Sequence, residues 1–343
     1  MVSELDLKII HALQIFPRVD WGKLSGVLDV SAPTLARHWD AMTEAGIAWV
    51  TPFPGPRYHD AGWSAFLYLS SKPDQQEELL DHLCQNPAFA TVSLVSGPYD
   101  VLVDCYVSSY AAMLKILTES FANLPGLARR EVVFTTEYFR TAVEWRSGTL
   151  EPAQMRRLDA SAGLAHPRPV PDAVDTRLIE ELSVDGRAPW AQLGATCGVA
   201  AQTAKRRVER LLNSGYLTLR CDTATEVVAG QREITLLLSA PASEVDTIGG
   251  YLASLPNCRV SAQILGAANI LATLWVHDFG EVKELELELA RRAPNCTVTS
   301  RQATVRHYKR AGRLLDAQGR SRGRVPVPLW GDSHRNDRPS NPF

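Results

Sequence analysis

The residues of this chain best suited to recognition chemistry fall on two short stretches of matching spacing. Ser31, Pro33, Thr34, Arg37 and His38 lie in the first; Gln202, Thr203, Lys205, Arg206 and Arg207 lie in the second. Hydroxyl, amide and guanidinium groups along one helical face are what a helix needs to donate to phosphates and base edges in a DNA groove. Covalent chemistry has no comparable support. There is no G-x-S-x-G, no P-loop and no H-E-x-x-H, and the eight histidines are scattered. The six cysteines (84, 105, 197, 221, 258, 296) never form C-x-x-C, and most stand among apolar neighbours, where a reduced thiol acts as a small hydrophobe. We therefore expect no catalytic residue, no metal site and no cofactor.

The elements that must carry these residues are legible. At 21–46, Leu24, Val27 and Leu28 lead into a three-residue turn, after which Leu35, Trp39 and Met42 take helical spacing. At 190–215, Leu193 and Cys197 precede the turn and Ala204, Val208, Leu211 and Leu212 follow it. That is the pattern of a helix-turn-helix. A capping residue, Ser3 or Asp172, opens an earlier helix in each case, with Leu5, Ile9, Ile10 and Leu13 as the buried stripe of the first. Gly46 and Gly215 suit the left-handed end of the second helix, and a short wing (47–50, 216–219) follows. A plain three-helix domain is the competing reading of the same pattern.

Self-similarity extends far beyond these stretches. The separation of Asp6 from Asp175, 169 positions, also pairs Leu13 with Leu182, Arg18 with Arg187, Trp21 with Trp190, Thr34 with Thr203, Arg37 with Arg206 and Gly97 with Gly266 without a gap. A tandem duplication, roughly 5–147 and 174–316, follows. The later part of the first copy reads strand 64–70, helix 73–85, strand 90–96, strand 100–107, helix 110–123 and strand 129–138. That is βαββαβ, the ferredoxin-like order, with a twin from 233 to about 308. Val101, Val103, Cys105 and Val107 give one strand an apolar face for the helices, as do Ile270, Ala272, Leu274 and Val276. The opposite face carries Leu102, Tyr106, Leu271, Trp275, Phe66 and Tyr68, too many rings for a solvated surface, so sheet-to-sheet association is expected.

The expected fold class is α+β, with two winged helix-turn-helix domains (1–60, 172–226) alternating with two ferredoxin-like βαββαβ domains (61–147, 227–315). Residues 148–171, rich in Pro, Gly, Ala and Ser, read as a linker with a helical turn near 155–158, and 316–343 as a disordered tail. With 343 residues and a formal net charge of −2, the chain can hold several cores but has no global basic field, so any DNA surface depends on local clusters. Acidic residues interrupt the first sixteen positions and no eighteen apolar residues run together, which predicts a cytoplasmic protein.

A helix-turn-helix joined to βαββαβ, with Gly-x-x-Asp between the second and third strands, resembles the Lrp/AsnC (feast/famine) family of transcriptional regulators. The carriers are Asp6 with Ile9, Ile10 and Leu13, then Trp21–Leu24, Val30, Ser31, Thr34, Arg37, Gly46 and residues 96–100. The resemblance implies binding of double-stranded DNA, a small effector such as an amino acid held between modules, and assembly into homo-oligomers, here of fused pseudo-dimers. It puts the effector turn on Gly97, Tyr99 and Asp100, and on Gly266 and Asn269 in the second copy. A glycine turn exposes N–H groups to a carboxylate, and Asp100 could accept from an ammonium group, whereas an ordinary hairpin turn needs the same glycine. Two other functions fit the architecture. One is an enzyme resembling siroheme decarboxylases, for which Arg57-Tyr58-His59 is suggestive and Glu226-Val227-Val228 is not. The other is an effector-binding protein without DNA affinity.

Overall fold

The computed structural model describes residues 2–58, 62–158, 171–224, 227–228 and 230–328. His59, Glu226 and the tail from 329 onward lie outside the described residues.

The chain opens with α1 (Glu4–Ile15), α2 (Trp21–Leu28), α3 (Ala32–Glu44) and β1 (Ala48–Pro54). Ser3 and Asp6 form a reciprocal capping box, so the first orphan N–H groups of α1 are satisfied locally. The tight turn into α3 is made by Asp29 in the left-handed region at φ 57°, where the later head uses Gly198 at φ 70°. Ile9, Ile10, Leu13, Leu24, Leu35, Trp39 and Met42 close one core, as their spacing predicts. A second three-helix head comprises α7 (Ala173–Val184), α8 (Trp190–Cys197), α9 (Ala201–Asn213) and β6 (Leu217–Thr223), and it is built on Leu178, Leu182, Leu193, Cys197, Ala204 and Val208.

The wings differ from expectation. Each strand is seven residues long and the two pair with each other, Ala48 opposite Thr223 through Pro54 opposite Leu217. Two edges that would otherwise present open N–H and C=O groups are satisfied by mutual pairing.

Between the heads run β2 (Trp63–Ser71), α4 (Gln76–Gln85), β3 (Phe89–Val95), β4 (Val101–Val107), α5 (Tyr110–Lys115) and β5 (Leu127–Arg140). After the second head come β7 (Arg232–Ser239), α10 (Val245–Ser254), β8 (Cys258–Leu265), β9 (Ile270–Val276), α11 (Gly280–Arg292) and β10 (Thr297–Arg310). The strands join as β10-β3-β4-β2-β5-β8-β9-β7, and β7 pairs back to β10, so the sheet closes into a barrel. Closure depends on two long strands. The first part of β5 pairs with β2 and its end with β8, while β10 pairs with β7 and then β3. The expected β5 of 129–138 is too short because its continuation is stabilised by the other module, which no local pattern reveals. Inside the barrel Phe66, Tyr68, Tyr99, Leu102, Ile264 and Leu271 form one buried cluster, and the apolar face of β4 meets α4 and α5 in another.

Two boundaries change. In the expected linker, α6 (Pro152–Leu158) forms, and Leu150 and Leu158 enter the core of the first head. The expected tail begins inside a hairpin, in which β12 (Ser321–Arg324) pairs with β11 (Arg313–Leu315), itself on β10. It is anchored where the Ser321 N–H donates to Gly46 O and Arg313 donates to Val184 O, polar contacts without hydrophobic period.

Candidate nucleic-acid interface and ligand sites

The face of α3 starts at Ser31, whose hydroxyl caps the helix by accepting from Thr34 N and meets the Thr34 hydroxyl at 2.8 Å. Pro33 in the first turn is exposed, as is Arg37, which has no ion pair among the described residues. The expectation that His38 faces outward needs correction. Its Nδ1 lies 2.7 Å from Asp6 Oδ1. Burial pushes the Asp6 carboxyl up, but hydrogen bonds from Ser3 and His38 hold it below its ordinary value, so the pair ties α3 to α1.

On α9, Gln202 and Arg206 are exposed, Thr203 is half-buried, and Lys205 lies 3.8 Å from Glu209. Arg207 needs the same correction as His38. It bridges Asp172 at 2.8 Å and Asp175 at 3.0 Å, and Arg210 reaches Asp175 at 2.5 Å. The two heads thus solve one problem differently: the inward acid of the first helix is met by a histidine in one and a guanidinium in the other. What remains outward is Ser31, Pro33 and Arg37 on α3, and Gln202 and Arg206 on α9. Ala200 gives α9 no side-chain cap.

At the turns, Gly97 adopts φ 110°, which favours glycine, whereas Gly266 has no positive φ. Tyr99 is buried against Tyr68, and its hydroxyl donates to Glu131 at 2.6 Å. Asp100 Oδ2 accepts from Ser71 N at 2.7 Å and Ser71 Oγ at 3.0 Å. Asn269 makes the equivalent fastening to Ala240, accepting from its N–H and donating to its carbonyl. These polar side chains pin the ends of neighbouring strands, and one Asp100 oxygen is already committed to that.

A different constellation escaped the sequence reading. Asp222 Oδ2, on β6, is approached by Arg220 at 2.9 Å, Arg310 at 3.3 Å and Arg259 at 3.6 Å, all buried. Glu233 lies 3.6 Å from Arg259, and burial, first of all, pushes its carboxyl up to about 7. Asp104 is likewise raised, to about 6. His307 bonds Ser93 through Nδ1, and burial with the nearby Arg310 and Arg220 pushes its imidazole well below 6.5, so its 3.7 Å approach to Glu233 is not an ion pair at neutral pH. A usable signal existed. At the 169-residue offset Arg220, Asp222, Arg259 and Arg310 correspond to Thr51, Phe53, Ala90 and Thr141, so charge stands where the twin has none.

Among the described residues, no three His, Cys, Asp or Glu side chains are grouped to hold a metal ion, and no helix is long and apolar enough to cross a membrane.

Each head of three helices is joined to a βαββαβ module. Residues 172–212 match the family model of the AsnC-type helix-turn-helix domain, and 64–141 match that of the Lrp/AsnC ligand binding domain. Two segments of the chain thus match domain models of the Lrp/AsnC family. It is 27% identical over 127 residues to an uncharacterized HTH-type transcriptional regulator of Pyrococcus abyssi, covering 36% of this chain and 80% of that one. A similar regulator of Pyrococcus horikoshii is 26% identical over 118 residues, 34% of this chain and 75% of its own. In fold the chain resembles the crystal structure of the siroheme decarboxylase NirDL, with a TM-score of 0.55 at 13% identity, covering 90% of this chain and 93% of that one.

Proposed function

We propose that this protein is a sequence-specific, DNA-binding transcriptional regulator whose affinity for its operator answers to a small metabolite. The observation that carries the reading is α9. It lies in the segment matched as an AsnC-type helix-turn-helix, and it keeps Gln202 and Arg206 exposed while its other charges are paired within the head. The two halves arose by tandem duplication in this reading, so one chain acts as a fused, asymmetric dimer. Because α3 and α9 present different side chains, and a good bidentate base contact is worth about 1–3 kcal/mol, the operator is an imperfect palindrome whose stronger half-site belongs to α9. Assembly of such pseudo-dimers into larger homo-oligomers belongs to the same proposal.

The test is retention of the intergenic DNA beside its own gene, titrated across salt. A log–log slope of about 0.9 for each phosphate neutralised is expected. Affinity that ignores salt and sequence would remove the proposal.

The enzymatic reading draws on one observation, a fold shared with a siroheme decarboxylase over nine tenths of both chains. Turnover of siroheme with release of carbon dioxide would establish it. An unchanged tetrapyrrole spectrum together with operator binding leaves the regulator.

A further inference from the structure

We propose that the cleft where the segment after β5 meets β6, β8 and α1 is a binding site for a small carboxylate, held by Arg146 and the Trp145 indole N–H against Arg220 and Arg259. Gln14, Trp145, Arg146, Arg220, Asp222 and Arg259 line it. Donors outnumber acceptors there. Three guanidinium groups and an indole N–H face a single carboxylate, and that carboxylate already has three arginines around it. Of the acids around these arginines, Glu233 and Asp104 have their charge disfavoured by burial, and Glu144, exposed beside Arg146, accepts from the Thr141 N–H and hydroxyl.

One buried group lacks the partner its burial demands, and a half-buried cation stands beside it. Among the described residues, the hydrogen bonds of Arg146 go to backbone carbonyls of its own turn, Val143 O and Trp145 O. The Trp145 Nε1 atom is buried and has no acceptor among the described residues. A buried N–H is costly unless paired, and a ligand carboxylate beside the half-buried guanidinium supplies acceptors to both groups at once. The side chain of Asp222 between Arg220 and Arg259 demonstrates that a planar carboxylate suits this arginine pair, which favours carboxylate over phosphate. The enclosed space is about 10 Å3, room for one water. Seating a carboxylate therefore requires the lining to open, and a swing of the Arg146 arm, whose bonds among the described residues stay within its own turn, would provide the room.

Location gives the site a role. Gln14 belongs to α1 of the first head and Asp222 to the wing strand paired with the other head's wing, while Arg259 belongs to the barrel. A carboxylate seated here touches all three bodies. Its assignment as the effector site rests on the regulator reading; its existence as a binding site does not. The charge is absent from the offset-related positions, so one site per chain follows.

Calorimetric titration of the full chain with succinate, without DNA, is the test. Saturable binding at one succinate per chain is expected. Arg146→Gln should weaken it by about 10-fold or more, the value of a charge-assisted hydrogen bond, and Trp145→Phe by roughly 3- to 10-fold. Thermal melts verify that both variants fold, and Arg146→Lys should recover part of the loss. Absence of saturable heat from both succinate and glutarate overturns the proposal. So do binding unchanged in both variants, and inorganic phosphate binding more tightly than succinate. Adding succinate to the DNA titration separates the two readings. Succinate that binds through Arg146 yet leaves DNA affinity unaltered removes the effector role and keeps the site.

Discussion

His38 and Arg207 occupy corresponding places in the two heads, and both are turned away from the surface a groove would meet. The reason is the acid at the first helix, Asp6 or Asp175, which burial would penalise without a partner. Arg206 and Arg37, also corresponding, are exposed and form no ion pair among the described residues. We therefore expect Arg206→Ala to weaken operator binding by about 10-fold, from the 1–3 kcal/mol of a base contact, and Arg37→Ala by less, since fewer cations surround it. Equal losses in an anisotropy titration would contradict the asymmetry. Arg207→Ala should instead lower stability by about 1–3 kcal/mol, because Asp175, only 1% exposed, keeps Arg210 and the Asp172 N–H but loses the partner of its other oxygen. Chemical denaturation reads that loss, and operator affinity of the folded fraction should change little.

Between elements, the heads are interlocked by a reciprocal exchange. Arg18 donates to Gly186 O and Ala188 O and lies 3.7 Å from the centre of the Trp190 ring. Arg187 donates to Pro17 O and Val19 O and lies 4.0 Å from that of Trp21. Each arginine satisfies two carbonyls of the opposite head and stacks on its aromatic ring, which a single ammonium cannot reproduce. Arg18→Ala or Arg187→Ala should each cost about 2–4 kcal/mol, from two charge-assisted hydrogen bonds lost against buried carbonyls, and lysine should not rescue either. Melting temperatures of the four variants check this. The hairpin β11–β12 adds a second tie. Gly46 stands at φ 65°, and a Cβ there would lie 2.5 Å from Ser321 O, so Gly46→Ala strains both the end of α3 and the seat of the hairpin.

At the scale of the molecule, barrel closure buries a charged cluster in which Glu233 and Asp104 are raised and His307 is depressed. Glu233 is raised from 4.5 to about 7. Below about pH 4.5 it is protonated folded or unfolded and its contribution is fully present. As pH rises toward 7 the unfolded chain releases the proton first, and that contribution is lost. Asp104 acts in the same direction, while His11, depressed to about 4 by burial and Arg146, costs stability as pH falls below 6.5, as does His307. The opposed slopes flatten the wild-type profile. Glu233→Gln removes one of them, so relative to wild type its stability should climb by about 3 kcal/mol between pH 4.5 and 8. Parallel profiles in denaturation at the two pH values would show that Glu233 is ordinarily ionised.

By itself the sequence determined the local elements. Helical spacing fixed α3 and α9, alternation fixed the two faces of β4, and the rings of Phe66, Tyr68 and Tyr106 required a covered sheet, because each of these follows from neighbours a few residues apart. Tertiary structure alone decided the rest. Whether Arg207 or Arg206 faces outward depends on an acid more than thirty residues away, the wings pair only because two heads meet, and β5 and β10 lengthen only where the other module offers an edge. The arginine cleft is the extreme case. Its members come from the segment after β5, β6, β8 and β10, so their charges converge through closure of the barrel and through no spacing along the chain.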